Sequence, residues 1–93
     1  MGEVRLARRA AKEFKALPRG TSDRVMAALV RLEKNPQTES LDVKALVGRR
    51  PWRRLRVGDY RVLFRPIDGG RVLLVARIID RKDLARAVES LPD

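Results

Sequence analysis

Two runs of alternating apolar and basic residues flank a Gly-Asp pair in the stretch Trp52-Arg53-Arg54-Leu55-Arg56-Val57-Gly58-Asp59-Tyr60-Arg61-Val62-Leu63-Phe64. Alternation with a period of two is typical of a β-strand that buries one face. A two-residue turn that begins with glycine suits a tight hairpin, because glycine adopts backbone angles that other residues avoid. The stretch therefore predicts two antiparallel strands joined at Gly58-Asp59.

The turn also predicts the register of this hairpin. The expected cross-strand pairs are Val57 with Tyr60, Arg56 with Arg61, Leu55 with Val62, and Arg54 with Leu63. Because side chains alternate between the two faces of a strand, each face can be assigned. The face that should join the core carries Leu55, Val57, Tyr60, Val62 and Phe64. The opposite face carries Trp52, Arg54, Arg56, Arg61, Leu63 and Arg65.

The opposite face is strongly basic. Residues 44–61 contain seven basic side chains against one acid, Asp59: Lys44, Arg49, Arg50, Arg53, Arg54, Arg56 and Arg61. Like charges directly opposite each other, as Arg56 and Arg61 should be, destabilise a sheet. A phosphate chain would offset this repulsion, because guanidinium groups form bidentate bonds to phosphate. Two interpretations remain open: a nucleic-acid surface on which Trp52 stacks against a base, or a solvated face that prevents aggregation beside a packed Trp52.

The remainder of the chain predicts a β-α-α-β-β-β-α order. The expected elements are a strand at 4–6, a helix at 7–16, a second helix capped by Thr21 or Ser22 and stopped at Asn35-Pro36, a loop at 36–43, the hairpin, a strand at 71–79 and a helix at 84–91. Segregated helices and strands favour an α+β fold, an antiparallel sheet with all its helices packed on one face. We expect one domain over residues 1–93. In it, the N-terminal strand and helical hairpin pack on one face of a small antiparallel sheet, followed by a short C-terminal helix.

Composition excludes several classes of protein. The 93 residues include no cysteine and no histidine, which removes disulfides, thiol nucleophiles and the usual zinc ligands. The longest apolar run, residues 72–76, is far shorter than the roughly 20 residues of a membrane span. The charged N-terminus has no apolar signal core, so a cytoplasmic protein is expected. A net charge of +10 indicates a polyanionic partner.

The stretch from Trp52 to Phe64, with its Gly-Asp-Tyr-Arg centre, resembles the signature of the RelE/ParE superfamily, the toxins of type II toxin–antitoxin pairs. Three flanking features agree with the resemblance, which extends from about residue 4 to residue 88. They are the spacing of Lys44, Leu46 and Gly48, the upstream helical hairpin with Leu17-Pro18, and the segment Asp80-Arg81-Lys82-Asp83 after the last strand.

The resemblance implies a small α+β toxin that a RelB-like antitoxin holds inactive in a hetero-oligomer. RelE-like members are ribosome-dependent endoribonucleases that cut mRNA in the 30S A site without a metal or cofactor, by attack of the ribose 2′-OH on the adjacent phosphate. ParE-like members share the fold and inhibit DNA gyrase. The nuclease is our leading expectation, and the alternatives are a gyrase inhibitor and a degenerate module that only binds its antitoxin.

Residue by residue, the resemblance assigns Arg61 to support of the phosphate and Arg81 to charge stabilisation or help for the leaving oxygen. Arg54 occupies the position of a lysine that activates the 2′-OH, and Trp52 replaces another active-site lysine. Backbone contacts to RNA are expected from Arg49, Arg50, Arg53, Arg56 and Arg77, with base contact from Trp52. The family's C-terminal tyrosine is not matched, since residues 85–87 are Ala-Arg-Ala. Arginine is a poor base, so the proton acceptor is expected to be Lys44, Glu39, Asp42 or a group of the ribosome.

Overall fold

The computed structural model describes residues 3–92, which form a five-stranded sheet with helices on both faces. The predicted domain limits at residues 1 and 93 lie outside the described residues. In chain order the elements are β1 (Glu3–Leu6), α1 (Arg8–Lys15), α2 (Arg19–Lys34), β2 (Asp42–Ala45), β3 (Arg53–Val57), β4 (Tyr60–Ile67), β5 (Val72–Asp80) and α3 (Leu84–Glu89). Short 3₁₀ turns precede β5 at Asp68–Gly70 and follow it at Arg81–Asp83. The α+β class is confirmed.

The strand order across the sheet is β1-β5-β4-β3-β2. The predicted hairpin register is confirmed, including the pairing of Arg56 with Arg61. Gly58 has a φ of 57°, in the region that favours glycine, at the first turn position. Arg56 and Arg61 therefore lie directly opposite each other in the folded sheet.

The sheet differs from the prediction at both of its edges. β1 pairs with β5 in parallel, so the sheet is mixed. From β1 the chain passes through α1 and α2 to the far edge at β2, and it returns through the antiparallel strands β3 and β4 to β5. Residues 42–45 form the edge strand β2 against β3, so the loop expected at residues 36–43 gives way to a strand at its end. The sequence signal was Leu41 and Val43, which alternate with polar residues and pack against the core. An alternation of only two apolar residues is too short to distinguish a strand from a loop.

The larger core lies between the sheet and the two long helices. It joins Ala10 of α1, four residues of α2 and the inward side chains of β3, β4 and β5: Val25, Ala28, Leu29, Leu32, Leu55, Val57, Val62, Phe64, Leu73, Val75 and Ile78. Tyr60, predicted as core, is half-buried at the rim of this face. Helix α2 begins at Arg19, with Pro18 as its N-cap residue, rather than being capped by Thr21 or Ser22.

A smaller core covers part of the opposite face of the sheet. There α3 packs over Leu63 and Ile79 with Ala87, and the segment before β3 adds Trp52. The prediction that all helices lie on one face is therefore wrong for α3. The short segment after β5 reverses direction in a 3₁₀ turn and carries α3 onto the face where Leu63 would otherwise be exposed.

Candidate nucleic-acid interface

The Gly58-Asp59 turn brings together two arginines that lie far apart in the sequence. Arg61 Nη1 donates to the carbonyl oxygens of Gly58 and Tyr60, both at 3.0 Å. The backbone N–H of Arg81 donates to the carbonyl oxygen of Asp59 at 2.8 Å. Arg81 Nε is also 3.9 Å from Asp59 Oδ1, with both side chains largely exposed. Arg61 and Arg81 therefore converge on one turn.

Arg54 and Arg56 extend this group along β3. We call Arg54, Arg56, Arg61 and Arg81 the arginine cluster. Across the sheet, the register places Asp42 opposite Arg56 and Lys44 opposite Arg54. Arg54 Nη1 donates to Asp42 Oδ1 at 3.3 Å. β2, an element absent from the predicted order, thus brings a carboxylate and an amine to the cluster.

Repulsion within the cluster is visible at Arg61. Burial lowers the pKa of Arg61 below its ordinary value, and the charges of Arg56, Arg54 and Arg81 lower it further. Asp42 acts in the opposite direction. Arginine remains protonated at neutral pH even so, so the lowered pKa reflects burial first and, after that, the repulsion from neighbouring positive charges. An anion at this position would relieve it.

Two of the predicted RNA contacts lie elsewhere. Arg50 and Arg53 are exposed and line a groove of ≈ 890 Å³ together with Leu46, Trp52 and Pro66. This groove lies at the start of β3, whereas the Gly58-Asp59 turn lies at the end of that strand. Arg56 alone of the predicted backbone contacts shares a site with the residues assigned to catalysis.

The structure corrects the role assigned to Trp52. Its side chain is buried, with 2% of the residue exposed, and it packs with Leu63 in the smaller core. The indole N–H donates to the carbonyl oxygen of Pro92 at 3.1 Å, and the guanidinium of Arg65 lies 5.8 Å from the ring centroid. The indole therefore offers no face to a base. Of the two interpretations of Trp52, a packed side chain is the one that the structure shows.

Arg77 and Arg49 are likewise engaged within the protein. Arg77 Nη2 donates to Glu13 Oε2 at 3.0 Å and its Nη1 donates to Ser90 Oγ at 2.8 Å. Arg49 Nη2 donates to the carbonyl oxygen of Leu91 at 2.6 Å. Both side chains hold the C-terminal segment in place. For Arg77, whose side chain is largely buried in its ion pair with Glu13, this corrects the assignment as a backbone contact. Basic residue type alone could not distinguish these two roles.

Helix α2 supplies a residue at the turn that sequence reasoning missed. The guanidinium of Arg24 lies against Gly58, where an added Cβ would be 3.0 Å from Arg24 Nη2. Nothing in the spacing of α2 indicates that this part of the helix reaches the hairpin. Ala87, the position nearest the unmatched tyrosine, is 1% exposed within the smaller core.

Two further properties of the described residues bear on the site. Within residues 3–92, no three His, Cys, Asp or Glu residues are grouped so that they could hold a metal ion. None of the helices between residues 3 and 92 has the length and apolar character needed to cross a membrane.

Solved structures share this fold over most of the chain. The archaeal RelE–RelB complex from Pyrococcus horikoshii OT3 has a TM-score of 0.73 at 26% identity, covering 86% of this chain and 94% of that chain. The RelB–RelE complex from Methanococcus jannaschii has a TM-score of 0.74 at 22% identity, covering 88% and 95%. A free RelE toxin variant from E. coli has a TM-score of 0.73 at 24% identity, covering 96% and 90%.

A family profile matches most of this sequence, whereas a search of curated proteins found no match to the sequence. The profile describes the ParE toxin of the type II toxin–antitoxin system parDE, and it matches residues 4–85. That range includes β1, the helical hairpin, the whole sheet and the turn that carries Arg81. The chain therefore belongs to the ParE toxin family, within the RelE/ParE superfamily of type II toxins.

Proposed function

We propose that this toxin is a cytoplasmic, ribosome-dependent mRNA endoribonuclease of the RelE type. The observation that carries the proposal is the convergence of Arg61 and Arg81 on the Gly58-Asp59 turn, with Arg54 and Arg56 beside them. Arginine groups in this arrangement suit a phosphate that gains negative charge during reaction. The positive charges of Arg56, Arg54 and Arg81 act on Arg61, and a bound phosphate would offset their repulsion.

The reaction requires phosphate stabilisation and two proton transfers. Attack by the ribose 2′-oxygen forms a new bond to phosphorus and breaks the bond to the 5′-oxygen of the next nucleotide. A base takes the proton of the 2′-OH, and the departing 5′-oxygen receives a proton. In this proposal Arg61 and Arg54 bind the phosphorane oxygens, and Arg81 stabilises the charge on the leaving oxygen.

The proton acceptor on this protein is proposed to be Asp42 or Lys44. Both lie on β2 directly opposite cluster arginines. A carboxylate accepts a proton in its ordinary charged form, whereas lysine accepts one only when uncharged. Asp42 is therefore the stronger candidate, and its bond to Arg54 orients it. Glu39 lies outside the sheet, before β2 begins.

The proposed partners are mRNA on the ribosome and a RelB-like antitoxin. Similar toxins from Pyrococcus horikoshii and Methanococcus jannaschii form complexes with RelB. A toxin of net charge +10 should select an acidic antitoxin segment. We propose that the two proteins form a hetero-oligomer in which the toxin is inactive.

A translation reaction tests the nuclease. Purified toxin is added to a reconstituted system, mRNA 5′ ends are mapped by primer extension, and DNA supercoiling by gyrase is measured in parallel. We expect new mRNA ends at codons in the ribosomal A site, their absence when ribosomes are left out, and unchanged supercoiling. Intact mRNA in the presence of active ribosomes contradicts the proposal.

A gyrase inhibitor is the second candidate, because the matching family profile is that of ParE. In that case supercoiling falls while mRNA stays intact. A toxin that changes neither activity but still binds its antitoxin fits the third candidate, a degenerate binding module. The paired assay therefore separates all three functions.

A further inference from the structure

A second basic site lies beside the arginine cluster. A groove of ≈ 410 Å³ separates α2 from the adjoining ends of β2 and β3, and Arg24, Arg31 and Arg56 carry its positive charge. We call it the α2 groove. Arg24 reaches the Gly58 turn, and Arg31 Nη2 donates to the carbonyl oxygen of Ser40 at 3.3 Å. Arg24 and Arg31 thus place two guanidinium groups of α2 beside the groove, and Arg56 borders it from β3.

These three charges lack acidic partners. Among residues 3–92, the ion pairs within 4.0 Å include neither Arg24, Arg31 nor Arg56. The carboxylate of Asp42 lines the same groove, but it is bonded to Arg54. Three positive charges around a groove repel one another, so the site favours an anion.

We propose that the α2 groove binds the phosphate backbone of the nucleic-acid strand whose neighbouring segment reaches the arginine cluster. This inference rests on the proposed function, because it needs a nucleic-acid target. Arg56 belongs to both sites, so a continuous polyanion can occupy them together. A chain of phosphates also matches guanidinium forks better than scattered carboxylates do.

The apolar wall of the α2 groove indicates how the strand is held. It is formed by small or aliphatic residues such as Ala27, Ala28 and Leu41, and no aromatic side chain of the described residues lines it. Bases therefore find no aromatic ring to stack on, and the arginines are proposed to contact phosphate and sugar. The α2 groove should position RNA without regard to its sequence.

A binding experiment with matched charge changes tests this site. The probe is a fluorescein-labelled single-stranded 20-nucleotide RNA, titrated with full-length toxin at several KCl concentrations. The test variant carries Arg24→Gln and Arg31→Gln. The control carries Arg8→Gln and Lys12→Gln on α1, two exposed residues that remove the same charge. Circular dichroism checks that each variant is folded.

The test variant should bind RNA more weakly than the control. Two lost phosphate contacts should make the slope of log K against log salt shallower by about 1.4, at about 0.7 per contact. Equal slopes for test and control overturn the inference even if the wild type cuts mRNA. RNA binding that falls as expected without cleavage on ribosomes supports the groove and rejects the nuclease.

Two other results also overturn the inference. The first is a wild-type toxin that does not bind the oligonucleotide. The second is a test variant that loses affinity for its antitoxin while its RNA binding stays equal to that of the control. That second result would make the α2 groove a protein-docking site.

Discussion

At the scale of single residues, the opposed pair Arg56 and Arg61 links stability to binding. Their positions on neighbouring strands bring like charges together, and the lowered pKa of Arg61 reports burial and the resulting repulsion. Neither side chain has a carboxylate within 4.0 Å among the described residues. Such an arrangement costs free energy in the free protein and regains it when an anion binds.

We expect Arg61→Ala and Arg81→Ala each to abolish growth inhibition in cells that lack antitoxin. Loss of one donor to a transition-state oxygen typically reduces rate by about 10²–10³. Mapping of mRNA ends measures the effect directly, and Arg71→Ala, an exposed change at the start of β5, serves as control. Full toxicity of both variants would reject the nuclease.

The two candidate bases give different results. We expect Asp42→Asn to lower the cleavage rate at least about 10²-fold, the usual contribution of a general base. Lys44→Met should lower it less and mainly weaken RNA binding. Single-turnover cleavage at saturating toxin separates these effects. A larger loss of cleavage rate in Lys44→Met than in Asp42→Asn would assign the base to Lys44.

At the scale of elements, Glu13 fastens α1 to the part of β5 that β1 does not cover. β1 ends at Leu6, which pairs with Val75, so no strand within residues 3–92 pairs with the next β5 residues on that side. Glu13 Oε1 accepts from the backbone N–H of Ile78 at 2.9 Å, and Oε2 accepts from Arg77. One carboxylate thus replaces part of a missing strand.

We expect Glu13→Ala to lower the free energy of unfolding by about 2–4 kcal/mol, because it leaves a partly buried guanidinium and a backbone N–H without partners. Urea denaturation measures the loss. The control is Glu3→Ala, whose ion pair with Arg5 is exposed and should contribute less than about 1 kcal/mol. Similar losses for both variants would contradict the argument.

Trp52 has the corresponding role for α3, and a substitution separates packing from base stacking. We expect Trp52→Leu to lower the free energy of unfolding by about 2–4 kcal/mol, through lost volume and a lost hydrogen bond to Pro92. RNA affinity of the folded variant should stay unchanged. Loss of a stacked base would instead cost about 1–3 kcal/mol of binding. Val47→Ala, in the same segment and 99% exposed, is the control.

At the scale of the whole molecule, a net charge of +10 on 93 residues destabilises the folded state by self-repulsion. We expect the melting temperature to rise between 0.01 M and 0.15 M salt, as the Debye length falls from about 30 Å to about 8 Å.

Arg56→Thr should stabilise the protein by about 0.2–1 kcal/mol at low salt and less at high salt, because it removes the like charge opposite Arg61. A variant less stable than wild type at low salt would contradict this.

The amino-acid sequence alone determined the β3–β4 hairpin, its register and the opposition of Arg56 and Arg61. These features are local, and a slip of one residue would expose Leu55 and Val62 and bury arginines. The charge pattern likewise predicted a polyanion surface, since the scarcity of acids in residues 44–61 is a property of composition.

Only the tertiary structure decided which basic residues lie together at the surface and which pack within the protein. Arg61, Arg81 and Arg24 meet at the Gly58-Asp59 turn because the end of β5 and the first half of α2 lie beside the hairpin, which depends on packing between distant segments. Trp52 is buried because α3 lies on the second face, and its residue type suits either environment. Burial and pairing between distant segments depend on how the sheet and helices pack together, so the periodicity of the sequence cannot predict them.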